Sequence, residues 1–455
     1  MKTIVDWADK ELKDVTENTK EHVKKSIIDF FAVSIAALDE PLYKKIVQYV
    51  KDTGKGEVPI LGTNTKAGAQ HAALALGALS HAIDYDDISA YQIGHPTVVL
   101  GAILFTLGYE AKSSGKEIFE AYVAGYEVIA RISKGAARTQ YEKGWHTTAT
   151  IGAIGGTIGA ARLLKLDKEQ TANALGIACS LASGVRSNFG TMTKPLHAGW
   201  AAGNAIFAVK MARNDFDSSI DAFDGTNSYL SAFGGQLDAD AWDQAKLFID
   251  EGLILKPYPS CGLTTRIIDC GIELHPRVKN RIDEIRSITC LVSPLTLKVL
   301  KYPRPASGLE AKFSLEYCAV QSIISGEMKI QHFTDEHLQD DPTYKKLIEK
   351  VKYEVPEDME QFLEFGEEYS SIIIEFQNGE IEESKITKPK GYPQNPLTDV
   401  ELKEKFKDCT KEYINDVDQE ILYQKISDYS DTGDISKLVD EINAKIIEKG
   451  LIQMN

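Results

Sequence analysis

Two patterns of apolar and polar positions divide this chain. From Glu21 to about Lys256, apolar residues recur at three- and four-residue steps, as in EHVKKSIIDFFAVSIAAL, where Val23, Ile27, Phe30 and Phe31 share a face. That period predicts amphipathic helices, and it returns over 68–83, 97–111, 117–134, 148–164, 168–183 and 195–213. After about residue 262 the period changes. RSITCLVSPLTLKVL alternates as a half-buried strand does, and YSSIIIEFQNGEIEESKI reads as two strands joined by Asn378-Gly379. Between these, SLEYCAVQSIISG and TYKKLIEKVKYEV predict helices, while His275-Pro276 predicts a turn. PKGYPQNPLTD interrupts the pattern before helical runs that extend from Val400 to the end. The expected fold is mainly α. A large all-helical domain formed by both chain ends, residues 1–261 and 393–455, would carry a smaller α+β lid over 262–392.

Within 148–164, Gly152, Gly155, Gly156 and Gly159 form a stripe at i, i+3, i+4 and i+7. An interior helical glycine costs about 1 kcal/mol relative to alanine, so the stripe predicts close approach of a neighbouring helix. A nucleotide-binding loop does not fit, because no strand precedes the stripe and the G-x-G-x-x-G spacing is missing.

Length and charge narrow the function. A chain of 455 residues is large for a single core, so two domains are expected. A formal net charge of −16 without any basic block argues against a nucleic-acid partner. The six cysteines, Cys179, Cys261, Cys270, Cys290, Cys318 and Cys409, contain no C-x-x-C pair. Neither a zinc cluster, an iron–sulfur centre nor a disulfide framework is therefore expected. Acids interrupt the N-terminal MKTIVDWADKELKDV before any apolar run, and TTATIGAIGGTIGAARLL is short and glycine-rich for a bilayer span. The expectation is a cytoplasmic protein with no membrane partner.

Candidate chemistry gathers where apolar helices meet. HAIDYDDISAYQIGHPT, residues 81–97, holds three carboxylates and two imidazoles. His95 precedes Pro96, His146 precedes Thr147-Thr148, and Lys194 precedes Pro195, so each basic side chain stands at a predicted helix start. Helix amino ends attract carboxylates and disfavour imidazolium and ammonium. Neutral groups placed there can move protons beside an anionic ligand. Asp84, Asp86 and Asp87 lie near a helix carboxyl end, where one could be held protonated or could orient a histidine. Taken singly, the histidines also suit caps or half-buried structural roles, His197 among them, and DYDD suits a solvated turn. His22, His275, His332 and His337 are assigned no role.

In this order, HAIDYDD, HPTVVLGAILFTLGYEAKSSGKEIFEAYVAGYEVIARI, GWHTTATIGAIGGTIGAARLLKLDKEQTANALGIA, GVRSNFGTMTKPLHAG, LKPYPSC, EAKFSLEYCAV and PKGYPQNPLTDVELKEKF resemble the MmgE/PrpD family over most of the chain. The resemblance implies a homodimer, a pocket between helical domain and lid, small di- or tricarboxylate substrates, and neither cofactor nor metal. Carried across motif by motif, it implies catalytic roles for Asp84 of D-Y-D-D, His95, His146, Lys194 of T-K-P-L-H and Tyr317 of F-S-x-x-Y. It implies substrate-binding roles for Lys256, Cys261 and Asp87. Arg186 offers a planar fork suited to a carboxylate.

Three positions depart from the family pattern. Decarboxylating members carry threonine where this chain has Ile88 and histidine where it has Cys261, and many bacterial members carry histidine in place of Thr265. Ile88 and Cys261 point away from decarboxylation, while Thr265 also departs from the dehydratase pattern and keeps an epimerase close. Dehydration of a 2-methylcitrate-like hydroxy acid by proton abstraction beside a carboxylate is the first expectation. Epimerisation of an iminodisuccinate-like dicarboxylate is the second, and a catalytically silent carboxylate-binding dimer the third.

Overall fold

Helix starts are written locally. Thr16, Ser114, Asp167 and Thr398 each accept a backbone N–H from three residues on and close a reciprocal capping box. They begin the helices Glu17–Ala36, Gly115–Glu142, Lys168–Leu181 and Asp399–Thr410. His95 and His146 occupy the N-cap positions of Pro96–Ala111 and Thr147–Leu163, yet neither ring is used as a cap. The computed structural model describes residues 1–450 apart from 11, 13, 14, 341 and 360–367.

The fold is mainly α. The helix Thr147–Leu163 lies at its centre, packed against Gly115–Glu142, Pro96–Ala111 and Thr193–Arg213. Its glycine stripe meets two neighbours. A Cβ on Gly155 would stand 2.8 Å from the Gly125 carbonyl oxygen, and one on Gly156 would stand 2.6 Å from the Ile103 methyl. A second close crossing joins Ala69–Ser80 to Thr193–Arg213, where a Cβ on Gly199 would meet the Leu74 carbonyl at 2.1 Å. Helices from the far end of the chain return to this body. Asp399–Thr410 packs on Glu17–Ala36, and Ile435–Lys449 packs on Pro96–Ala111. One apolar core accordingly draws on residues 1–255 and 397–446.

A second core lies over residues 263–376, with Tyr141 and Phe189 reaching into it from the helical body. It is built on a four-stranded sheet in the order Val351–Glu354, Ile285–Leu291, Ser370–Phe376, Ile381–Ile386. The first pair is parallel and the others antiparallel. The helix Thr265–Val278 packs on the last two strands and on the helix Leu315–Ser325. Asn378-Gly379 forms the expected hairpin turn, with Gly379 at φ +86°.

Three local expectations are corrected. RSITCLVSPLTLKVL is a strand only to Leu291, because Ser293 caps a new helix, Pro294–Val299. TYKKLIEKVKYEV contains a short helix ending at Ile348 and then the strand Val351–Glu354. That strand is a sheet edge with mostly exposed side chains, so it lacks the alternation that would reveal it. Pro276 lies inside the helix Thr265–Val278, not in a turn. It falls in the last turn, so the single intrahelical bond it removes lies close to the helix end, and His275 Nδ1 bonds the Ile323 carbonyl at 2.9 Å.

Two short strands bear directly on function. Ile88–Ser89 pairs antiparallel with Leu253–Ile254, which fixes the DYDD segment beside the stretch carrying Lys256. Among the described residues no helix is long and apolar enough to cross a membrane.

Replacing Gly155 with alanine tests the central crossing. Alanine is the better helix former by about 1 kcal/mol, yet its methyl would overlap the Gly125 carbonyl. A net destabilisation of about 1–3 kcal/mol is expected in chemical denaturation. A gain in stability would show that the helices can part freely.

Candidate active site

The site begins with a backbone conformation. The helix Ala69–Ser80 runs out just before DYDD, and Asp84 adopts φ +54°. Aspartate tolerates this left-handed region better than most residues, at a cost of about 1 kcal/mol. In this position its carboxylate accepts Lys194 Nζ at 2.6 Å through one oxygen and Lys256 Nζ at 2.5 Å through the other. Lys256 also donates to the Asp84 carbonyl at 2.6 Å. All three residues are buried. Burial opposes ionisation of Asp84, but the two ammonium groups prevail and hold its carboxyl well below the usual carboxylate range. For Lys256 burial works against the charge, and Asp84 with Asp86 reverses it, raising the pKa.

Asp86 makes a second centre. Its carboxylate takes His81 Nδ1 at 2.9 Å and His95 Nδ1 at 2.8 Å. Against the cost of burial, these rings and then Lys256 keep the Asp86 carboxyl well below its ordinary range. An ionised carboxylate only accepts, so each Nδ1 carries the proton and each Nε2 keeps its lone pair. His95 Nδ1 lies 3.0 Å from the Asp87 carbonyl as well, and its Nε2 lies 3.9 Å from Asp84. Burial lowers the pKa of His95, and it lowers that of His81 to about 3. Both rings are neutral at pH 7.

His146 is depressed further. Burial and then the Lys194 ammonium push its imidazole well below the usual range. Its Nδ1 stands 3.1 Å from His197 Nδ1, whose pKa burial lowers to about 4. Two neutral rings thus share one N–H.

Asp87 has the opposite character from Asp84. Burial pushes its carboxyl up to about 8. It accepts the Thr97 N–H at 3.3 Å and the Thr97 hydroxyl, at the amino end of Pro96–Ala111. Asp87 therefore closes a helix rather than a cleft.

These groups stand beside a cleft of about 460 Å³ of empty space, its open mouth included. His95, His146, Lys194, Ser89 and Cys261 supply its polar side chains, and Ile88, Ile93, Tyr141, Phe189, Leu263 and Phe313 supply its apolar ones. The cleft thus runs between the helical body and the 263–376 core. Cys261 is partly exposed, and burial among its neighbours raises its thiol to about 11, so it lines the cleft as a neutral group.

The remaining candidates stand apart from the cleft. Lys256 lies behind Asp84 and does not line the cleft; it acts there through that carboxylate and through its charge on Asp86 and His95. Arg186 stacks on the Tyr141 ring at 3.9 Å and donates to the Tyr141 carbonyl at 2.6 Å. Tyr317 is buried in the 263–376 core, where its hydroxyl bonds the His332 carbonyl and its ring meets Phe333 and Tyr344. Thr265 is a buried first residue of its helix and does not line the cleft, whereas Ile88 does.

His81, His95 and His146 each bring a nitrogen within 4.8 Å of the others, a spacing that a metal could bridge. The Lys194 charge, which bears on all three rings, works against a cation there. Local sequence marks neither Asp86 as the partner of His95 nor a role for His81. The only trace was the second acid of DYDD, which no spacing rule distinguishes from its neighbours.

Residues 2–241 match the MmgE/PrpD N-terminal domain and residues 258–428 the MmgE/PrpD C-terminal domain. The cis-aconitate decarboxylase of Mus musculus is 24% identical over 455 residues, covering 93% of this chain and 90% of that protein. The cis-aconitate decarboxylase of Aspergillus terreus (strain NIH 2624 / FGSC A1156) is 24% identical over 423 residues, covering 87% and 85%. The mitochondrial 2-methylcitrate dehydratase of Yarrowia lipolytica (strain CLIB 122 / E 150) is 21% identical over 365 residues, covering 73% and 68%.

Two substitutions test the electrostatics. Asp84→Asn removes the carboxylate that pairs two buried ammonium groups and is expected to cost about 3–5 kcal/mol of stability at pH 7. Asp87 behaves differently because its folded pKa is raised. Its contribution is full at low pH and is lost as pH rises through about 8. Calorimetry from pH 5 to 9 should therefore show the wild-type Tm falling with pH more steeply than that of Asp87→Asn up to about pH 8, with the two slopes converging above it. Parallel curves would refute the assignment.

Proposed function

The chain belongs to the MmgE/PrpD family, and from that premise we propose that it is a lyase that dehydrates a small hydroxy di- or tricarboxylate of the 2-methylcitrate kind. One observation carries the reading: a neutral His95 at the cleft, oriented through Nδ1 by an ionised Asp86, beside the Lys194 ammonium. His95 Nε2 takes a proton from the carbon next to a substrate carboxylate. Lys194 stabilises the enolate charge that develops on that carboxylate, and Asp86 stabilises the imidazolium. The electron pair then expels the β-hydroxyl, which takes the proton from the imidazolium and leaves as water. Asp84 sets the position of Lys194 and uses one of its three hydrogens, leaving others for the substrate.

Decarboxylation, the activity named for two of the relatives above, is disfavoured by the cleft wall, where Ile88 and Cys261 replace polar residues with an apolar one and a neutral thiol. Epimerisation is the second reading. His95 and His146 both line the cleft with ring centroids 6.4 Å apart, which suits removal of a proton by one ring and its return by the other. The reading also takes the active form to be a cytoplasmic homodimer. Trp200 and Phe207 are exposed two turns apart on the helix Thr193–Arg213, a face suited to a second copy.

Proton NMR of the purified protein in D₂O with 2-methylcitrate, citrate, cis-aconitate and iminodisuccinate tests these readings. Vinyl signals that grow as a hydroxy acid disappears are expected; deuterium uptake at an α-carbon without elimination would replace dehydration by epimerisation. His95→Asn should lower kcat/KM by about 10²–10⁴-fold. The base must be neutral and its pKa is lowered, so activity should hold at pH 6.5 and its acid limb should lie below that value. An acid limb centred above pH 6.5 would remove His95 from the role.

A further inference from the structure

Three consecutive carbonyl groups of the site turn are each held by a buried lysine from a different part of the chain. Lys312 donates to the Ile83 carbonyl at 2.8 Å, Lys256 to that of Asp84 at 2.6 Å, and Lys405 to that of Tyr85 at 2.8 Å. These carbonyls follow the end of the helix Ala69–Ser80, where the backbone has no intrahelical partners to offer. A buried carbonyl left unpaired would cost as much as a lost hydrogen bond. The lysines supply what the turn lacks.

The three are not equivalent. Lys256 answers the Asp84 carboxylate itself. Lys405 belongs to the helix Asp399–Thr410, is balanced by Asp29 at 2.5 Å, and also bonds the Lys256 carbonyl at 2.8 Å. Lys312 alone comes from the lid, directly after the short helix Gly308–Ala311 and directly before Phe313 of the cleft wall. Its ammonium has a second bond, to the Pro259 carbonyl at 2.9 Å, and its own carbonyl accepts the Cys261 N–H at 3.1 Å.

We propose that Lys312 is a positioning residue, a latch through which the lid fixes both the left-handed Asp84 turn and the 259–261 segment of the cleft. The function assigned to that turn rests on the lyase reading above; the latch itself does not. Lys312 faces Glu40 and Asp84, which favour its charge, and Lys256 and Lys194, which oppose it. Burial dominates and lowers its pKa to about 8. With the ammonium removed, the Ile83 and Pro259 carbonyls lose their partner, and Asp84 and Cys261 lose the frame that joins them.

The test needs no substrate. Cys261 is partly exposed while the other five cysteines are buried, so its alkylation by iodoacetamide, followed by peptide mass spectrometry, reports on the 259–261 segment. In Lys312→Met of the full chain, Cys261 should react at least tenfold faster than in wild type, with Cys290, Cys318 and Cys409 unchanged. Lys312→Arg, which can donate to both carbonyls, should restore the rate to within threefold. A folded Lys312→Met whose Cys261 reacts at the wild-type rate overturns the proposal. Should that variant fail to fold, hydrogen exchange of the wild type decides. Exchange corrected for intrinsic rate should show peptides across 257–261 losing at least threefold protection from pH 6.5 to 9, with 370–376 unaffected; equal protection at both pH values overturns the latch. If an acid of the NMR panel turns over, kcat of Lys312→Met should fall at least tenfold with KM within threefold. The NMR panel alone decides the lyase reading, so the two failures are distinguishable.

Discussion

Everything at this site depends on one buried carboxylate between two ammonium groups. Asp84 sits 2.6 Å from Lys194 and 2.5 Å from Lys256. Such a cluster is rarely a source of net stability, because removing charges from water costs about as much as their attraction returns. Its effect is one of placement. Asp84 holds the Lys194 ammonium in an apolar wall between Phe189 and Phe313, whose rings lie 5.4 and 5.0 Å away. A cation fixed in such surroundings acts on an anionic ligand far more strongly than one in water.

The histidines answer to the same constraint. Burial makes them neutral, and the Lys194 charge adds to the effect on His81, His95 and His146. Asp86 binds two of them through Nδ1 and so leaves each Nε2 unprotonated. The acids divide by environment within one turn: Asp84 and Asp86 face cations or imidazole N–H groups and ionise, while Asp87, which burial dominates and which bonds Thr97, stays protonated to about pH 8. Charge separation of this kind within four residues is a recurrent property of sites that move protons.

Relatives at 21–24% identity carry different activities in their names, as expected when a framework hosts several reactions. The charged and imidazole cluster lies deep in this molecule. Ile88 and Cys261 lie on the cleft surface where a ligand would meet them.

Much of this was legible in the chain. The helical periods, the hairpin at Asn378-Gly379 and the glycine stripe each depend on neighbours in sequence, and local sterics carry them through unchanged. His95 and His146 at helix starts were visible because proline and threonine mark such starts. The exposed strand Val351–Glu354 was not, since its pairing lies on one edge and leaves no alternation. Nor did local pattern reveal that Tyr317 is buried in the 263–376 core, that Arg186 stacks on Tyr141, or that Asp86, rather than its neighbours, holds His95. Nothing near Lys312 or Lys405 marks them either, since they reach carbonyls 229 and 320 residues away. The sequence alone determined which elements form and which groups can carry charge. Only the tertiary structure decided which of those groups are ionised and what they hold, because a pKa and a hydrogen bond depend on burial and on partners that the chain brings together from distant positions.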